Sequence, residues 1–252
     1  MSIYFATETE NTETRGEKLV QNGNGSLFTE GQLDQLASVM HVKKIASGSH
    51  LFWEGDDAVS VYWVRKGRIK LRKSTGDGKD LLISIMQAGD LLADIDAWDT
   101  SHRYSAEAMD EVEVGVVSRL QLELLMSKSG DFSYRFAMWM SLMQRKTESK
   151  LRDLLLGGKN GALASILVRL SNSFGVMKPD GILLDIKLTN SEMADLVGTT
   201  RESVNRMLSS MRTDGIVEAV PGGMLKILDL EALRVMAGCP DCPACPKEIC
   251  RI

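Results

Sequence analysis

The spacing of apolar and polar positions changes repeatedly along this chain, and each change marks a candidate boundary. Residues 1–25 are rich in Thr, Glu and Asn with no periodicity, so residues 1–26 are expected to form a disordered arm. From Leu27 to Val117, short runs alternate between apolar and polar residues, as in Val61-Tyr-Trp-Val-Arg-Lys-Gly67, Arg68-Ile-Lys-Leu-Arg-Lys73 and Leu81-Leu-Ile-Ser-Ile-Met86. Ile69 and Leu71 fall on one side of a strand, with Arg68, Lys70 and Arg72 on the other, and Gly76-Asp77-Gly78 is a hairpin signal. Residues 27–120 therefore read as an antiparallel β-roll.

Beyond Gln121 the period becomes helical. Phe132, Phe136, Trp139 and Met143 are spaced four, three and four apart, the pattern continues to Leu151, Leu154 and Leu155, and Gly157-Gly158 stops it. A helix of up to about seven turns is expected from Asp131, within a region spanning 121–157. Its bulky seam can pack onto its own roll or pair with a second copy, and a dimer coiled coil is the preferred reading.

Residues 158–238 read as a compact helical block with a hairpin. Thr189-Asn190-Ser191-Glu192 caps a short helix through Val197, Gly198 turns the chain, and Thr200 or Thr199 caps a second helix to about Arg212. Val204, Met207, Leu208 and Met211 form one apolar stripe on that second helix. Opposite it stand Glu202, Asn205, Arg206 and Ser209, with Arg201 at the rim. Gly215 to Leu228 alternates around Pro221-Gly222-Gly223 as a β-wing would. The fold class is α+β: a roll, a long helix and a winged helix-turn-helix.

Charge changes little in this picture. The net −4 comes from 30 basic and 34 acidic residues, and the deficit lies in residues 1–156, so a basic face further along remains open. No run approaches the roughly 18 apolar residues of a membrane span, and the start lacks a signal core, so a cytoplasmic protein is expected. No catalytic triad, phosphate loop or His-rich site points to an enzyme, and His41, His50 and His102 read as ordinary roll residues.

Cysteine changes more. All four cysteines, Cys239, Cys242, Cys245 and Cys250, lie in the last 14 residues, a tail of 239–252. A secreted disulfide scaffold spreads its cysteines, whereas gaps of two, two and four stiffened by prolines suit a [4Fe–4S] cluster better than a zinc ribbon. Structural zinc and a thiol switch are the alternatives.

On the second helix, Arg201 and Arg206 can each offer guanine two parallel donors, and Glu202 can accept from cytosine N4. Thr200-Arg-Glu-Ser-Val-Asn-Arg206, preceded by a glycine-punctuated roll and a long helix, resembles the Crp/Fnr family of bacterial transcription regulators over residues 27–236. The resemblance implies a homodimer that binds a palindromic double-stranded site and contacts RNA polymerase. It implies DNA reading by Arg201, Glu202, Asn205 and Arg206, with Arg201 favouring a TGTGA-like half-site.

The family's cyclic AMP site needs a Gly-Glu pair and an Arg-Ser pair. Here Ala93-Asp94 and Tyr104-Ser105 stand in their place, so nucleotide binding is not expected. The tail, together with Ser149-Lys-Leu-Arg-Asp153, is similar to the Gram-positive Fnr type. That type implies one oxygen-sensitive [4Fe–4S] cluster per subunit, ligated by Cys242, Cys245, Cys250 and Asp153, in a regulator of anaerobic metabolism. Cys239, outside that pattern, is the alternative fourth ligand. A second class is a regulator of the same family with a zinc or thiol-switch tail and an unknown effector in the roll.

Overall fold

The computed structural model describes residues 19, 23–76, 78–96, 99–239 and 247–252. Helix α1 (Glu30–Ser38) opens on a capping box between Thr29 and Gln32 and leads into eight strands. These are β1 (His41–Ile45), β2 (His50–Phe52), β3 (Ser60–Lys66), β4 (Arg68–Ser74), β5 (Asp80–Gln87), β6 (Leu91–Leu92), β7 (Ser105–Ala108) and β8 (Val112–Ser118). They pair antiparallel into two sheets, ordered β1-β8-β3-β6 and β2-β7-β4-β5. Strand period two puts Ile69, fully buried, and Leu71, nearly so, on one side with half-buried Arg68 and Arg72 on the other; Lys70, on that side too, is buried where α5 covers it. The β4–β5 register, Arg68 opposite Gln87 and Ser74 opposite Asp80, joins the two strands as a hairpin, with Asp77 of the turn signal outside the described residues.

The arm expected over residues 1–26 is shorter than its composition suggests. Residues 1–18 and 20–22 lie outside the described residues, but Gly23–Leu27 is a buried 3-10 turn. Asn24 accepts from the Leu91 N–H at 2.7 Å and Trp139 Nε1 at 3.0 Å, and its side chain donates to the Leu91 carbonyl at 3.1 Å. Only glycine lets residue 25 approach so closely, because a Cβ there would sit 2.2 Å from the Trp63 ring. A polar Gly-Asn-Gly run thus reads as loop although it plugs a core.

Helix α2 (Arg119–Lys128) and the long α3 (Gly130–Leu156) follow, each started by a serine cap. The seam of Phe132, Phe136 and Trp139 is buried against Phe28, Val61, Trp63 and Leu91, with Met143 beside it. This corrects the dimer reading of that seam: it packs onto its own roll, where each large side chain contributes about 1.5–3 kcal/mol by burial. The opposite face of α3 is exposed. From Tyr134 and Ala137 through Ser141, Gln144 and Glu148 to Leu151 and Leu155, spacings alternate between three and four, the period of a coiled-coil seam.

Helix α4 (Gly158–Phe174) runs almost wholly buried from Gly161 to Leu170. After it come β9 (Gly175–Lys178), β10 (Gly181–Leu184), α5 (Asn190–Val197), α6 (Arg201–Thr213), β11 (Val217–Val220), β12 (Met224–Ile227) and α7 (Leu230–Met236). The wing hairpin β11–β12 was legible. The hairpin β9–β10, which pairs with it in the order β11-β12-β10-β9, was read only as part of a helical block.

The helix-turn-helix is fastened to the roll by apolar packing of Leu82 and Ile85 from β5 and by charge. Lys70 Nζ lies 3.0 Å from Glu192 Oε1, and Arg72 Nη1 lies 3.1 Å from Asp195 Oδ2, so β4 holds α5 directly. Burial opposes the charge of Glu192, but hydrogen bonds from Thr189 and Lys70 outweigh it and lower its pKa.

Candidate DNA-binding helix and cysteine-tail site

Helix α6 begins where Thr200 accepts from the Ser203 N–H at 3.2 Å. Its apolar stripe decides its orientation: Val204 and Leu208 are fully buried, Met211 nearly so, and Met207 lies at the edge. Arg201, Glu202, Asn205 and Arg206 are therefore left together on one exposed face of the first two turns. Glu202 is held below its ordinary pKa first by its own backbone N–H and then by the Thr200 hydroxyl, with Arg201 and Arg206 adding to the effect. Asn205 accepts a short hydrogen bond from Asn190 at the start of α5, which ties the two helices together. The left-handed Gly198 (φ 72°) makes the turn between them.

The tail returns to α3 and α4. Cys242 and Cys245 lie outside the described residues, while Cys239 and Cys250 are half-buried. Asn172 donates to the Cys250 carbonyl at 2.8 Å, and Ile249 and Ile252 are buried. One side chain gathers the site: Arg169, 1% exposed, donates through Nη1 to the Ile249 carbonyl at 3.0 Å and through Nη2 to Asp153 Oδ2 at 2.6 Å and Ser149 Oγ at 2.9 Å.

Asp153 is buried at the last turn of α3. Its Oδ2 also accepts from Ser165 Oγ at 2.6 Å, and its Oδ1 accepts from Arg152 Nε at 2.9 Å and Nη2 at 2.6 Å. Burial works against its charge, but Ser165, Arg169 and Arg152 together pull its pKa down. Asp153 thus stands beside the tail as an ionised carboxylate, held by two guanidiniums and a hydroxyl.

In the roll, Ala93 and Asp94 occupy the expected stretch, but Asp94 serves its own chain. Arg103 donates to it from the backbone N–H at 3.0 Å, Nε at 2.9 Å and Nη2 at 2.6 Å. Buried His102 stacks on Phe52 with its Nδ1 3.5 Å from Asp94.

A Crp-like helix-turn-helix domain is recognised over residues 161–236 and a cyclic nucleotide-binding domain over residues 42–129. The "Anaerobic regulatory protein" of Bacillus subtilis is 38% identical over 235 residues, which cover 92% of this chain and 98% of that protein. The chain belongs to the Crp/Fnr family. A second Crp/Fnr relative, the cAMP-activated global transcriptional regulator CRP of Salmonella typhimurium, is 26% identical over 77% of this chain and 93% of its own. Among solved structures, FixK2 from Bradyrhizobium japonicum aligns with a TM-score of 0.69 at 21% identity, covering 79% of this chain and 97% of that one. As a Crp/Fnr protein the chain is a DNA-binding transcription regulator, and members of the family typically act as dimers. None of the described helices is long and apolar enough to cross a membrane.

Sequence reading of this Crp/Fnr chain missed Arg169, Ser165 and Asn172. The signal was present: a lone arginine in Ala162-Leu-Ala-Ser-Ile-Leu-Val-Arg-Leu170, an otherwise apolar helix, demands a buried acceptor.

The Asp94 arrangement makes a pH prediction. Burial raises its pKa, but the nearby His102 imidazole and the hydrogen bonds from Arg103 prevail and hold it at about 2, below the ordinary 3.8. A depressed carboxylate stabilises the fold above its unfolded pKa, and that stability is lost as pH falls from about 4 toward 2. Asp94→Asn is expected to cost about 1–2 kcal/mol at pH 7 in urea denaturation, with the gap from wild type narrowing below about pH 4. A gap that stays constant down to pH 3 would contradict this account.

Proposed function

We propose that this Crp/Fnr regulator responds to oxygen and controls anaerobic metabolism. It acts as a cytoplasmic homodimer that holds one [4Fe–4S] cluster per subunit through Cys242, Cys245, Cys250 and Asp153. The observation that carries this reading is the combination of a cysteine tail with 38% identity to a Bacillus subtilis protein named for anaerobic regulation.

The donor chemistry fits the cluster. Thiolates are its natural ligands, and Asp153 is an ionised carboxylate whose partner Arg169 also grips Ile249, next to Cys250. When bound, the cluster supplies an oxygen-labile centre, because a hard carboxylate oxygen suits iron among soft thiolates poorly. This chain's residues place that chemistry where the long helix meets the DNA-binding domain.

Dimerisation is assigned to the exposed face of α3 from Tyr134 to Leu155, continuous with the helix that carries Asp153. Cyclic nucleotide is not expected as effector: Arg103 already engages Asp94, and Ala93 replaces the glycine of close approach. RNA polymerase and a palindromic TGTGA-like site in double-stranded DNA are the proposed partners.

Anaerobic purification tests the cofactor. Brown protein with iron and acid-labile sulfide supports it, and colourless protein with stoichiometric zinc refutes it. The reading face has its own test: Arg201→Ala and Glu202→Ala should each relax discrimination at one half-site position by about ten- to a hundredfold. Gel-shift titrations of single-base operator variants measure this, and equal losses on operator and random DNA would refute base reading.

A further inference from the structure

The two oxygens of Asp153 are held by very different partners. Oδ2 belongs to buried donors, Ser165 Oγ and Arg169 Nη2, each at 2.6 Å. Arg169 cannot leave, because its guanidinium also anchors the Ile249 carbonyl and reaches no water. Oδ1 is held by Arg152, whose side chain is 54% exposed. The same Arg152 Nη2 lies 3.8 Å from Cys239 Sγ, so one surface guanidinium spans the carboxylate and the first thiol of the tail.

We infer that Arg152 is a gate on Asp153: it occupies Oδ1 in the cluster-free chain and gives that oxygen up to iron, while Ser165 and Arg169 hold Oδ2 in place. The inference rests on the reading of Asp153 as a cluster ligand. It names which oxygen ligates and which residue competes for it.

Exposure decides the assignment. Asp153 is buried, but the Arg152 side chain is half exposed, so its guanidinium can swing into solvent and regain hydration and rotamer freedom, a route closed to Arg169. A buried pair does not exchange, since separating it strands charge away from water. With a cluster bound, Oδ1 would exchange its two Arg152 N–H donors for iron. Arg152 stays protonated and no electron moves. Ser165 and Arg169 on Oδ2 would keep the carboxylate oriented, as hydrogen-bonded partners commonly orient metal ligands. Arg152 is a positioning residue, acting on the metal through Asp153.

Cobalt(II) titration of the full, cluster-free chain under anaerobic conditions tests this. Visible absorption reads thiolate and carboxylate ligation without any DNA-binding assay. Arg152→Ala is expected to tighten cobalt binding about tenfold, the scale of outer-shell effects on metal affinity. Arg152→Lys, which keeps the charge but loses the two-pronged grip, should tighten it less. Asp153→Ala should weaken binding, and Arg152→Ala added to Asp153→Ala should gain nothing.

Equal tightening by Arg152→Ala with and without Asp153 would overturn the gate, since Arg152 would then act as a general repulsive charge. No tightening in either background would overturn it as well. If Asp153→Ala keeps wild-type cobalt affinity and wild-type cluster iron, the ligand reading itself fails, a result distinct from failure of the gate. Far-UV circular dichroism on each variant checks that the fold persists.

Discussion

Arg169→Leu is expected to destabilise the folded chain by about 3 kcal/mol and to detach residues 247–252 from α4. Removing one member of a buried ion pair typically costs about 3–5 kcal/mol, because the other charge remains without compensation. The lower end applies here, since Ser165 and Arg152 still serve Asp153. The tail suffers more. The Ile249 carbonyl loses its Arg169 donor, leaving Asn172 on the Cys250 carbonyl and Ser173 accepting from the Ile252 N–H at 3.0 Å. Urea denaturation reports the stability change, and hydrogen exchange reports the tail. Unchanged protection of residues 249–252 in Arg169→Leu would show that burial of Ile249 and Ile252, with the bonds from Asn172, Ser173 and Lys146, holds the tail without Arg169.

The second large effect concerns the cysteines. Cys242→Ser, Cys245→Ser and Cys250→Ser should each abolish the cluster, taking iron from about four per chain to near zero, whereas Cys239→Ser should retain it. The expected asymmetry comes from the resemblance to the Gram-positive Fnr type, whose three cysteines at gaps of two and four map onto Cys242, Cys245 and Cys250 and leave Cys239 outside the ligand set. Cys239 has a different neighbour, the guanidinium of Arg152. Iron and acid-labile sulfide assays on anaerobically purified variants decide the matter. Complete loss in Cys239→Ser would assign it as the fourth ligand and return Asp153 to the role its hydrogen bonds already give it, an ion-pair partner of Arg169 and Arg152.

What could be read ahead followed from local periodicity. The stripe of Val204, Leu208 and Met211 fixed which way α6 faces, so the exposure of Arg201, Glu202, Asn205 and Arg206 was available from spacing alone. Thr189, Gly198 and Thr200 marked the ends of α5 and α6 by cap chemistry, and the structure places the caps there. The long helix was equally plain, but which of its faces meets the roll was not. α3 carries apolar residues on two faces, and periodicity does not say which face meets the roll. Phe132, Phe136 and Trp139 found Phe28 and Trp63, partners distant in sequence. The Asp153–Arg169 pair was hidden for the same reason: its halves sit on different helices, and only packing brings them together. Asn24 illustrates the converse error, a polar residue in a polar stretch that is buried because its hydrogen bonds are met at β6 and Trp139.

The contact between β4 and α5 makes ionic strength a variable of the protein's own shape. Lys70 and Arg72 hold Glu192 and Asp195 across the roll and the helix-turn-helix with about a tenth to a fifth of each side chain in water, so mobile ions reach these pairs only in part, beside the salt-insensitive packing of Leu82 and Ile85. Salt also weakens DNA binding by a separate route, because each neutralised phosphate releases condensed counterions. A plot of operator affinity against salt therefore sums two processes in this regulator, and its slope overstates or understates the number of phosphate contacts by whatever the loosened α5 contact contributes. Comparing that slope with the one for a Lys70→Met/Arg72→Met chain separates the strength of the grip on DNA from the freedom of the hand.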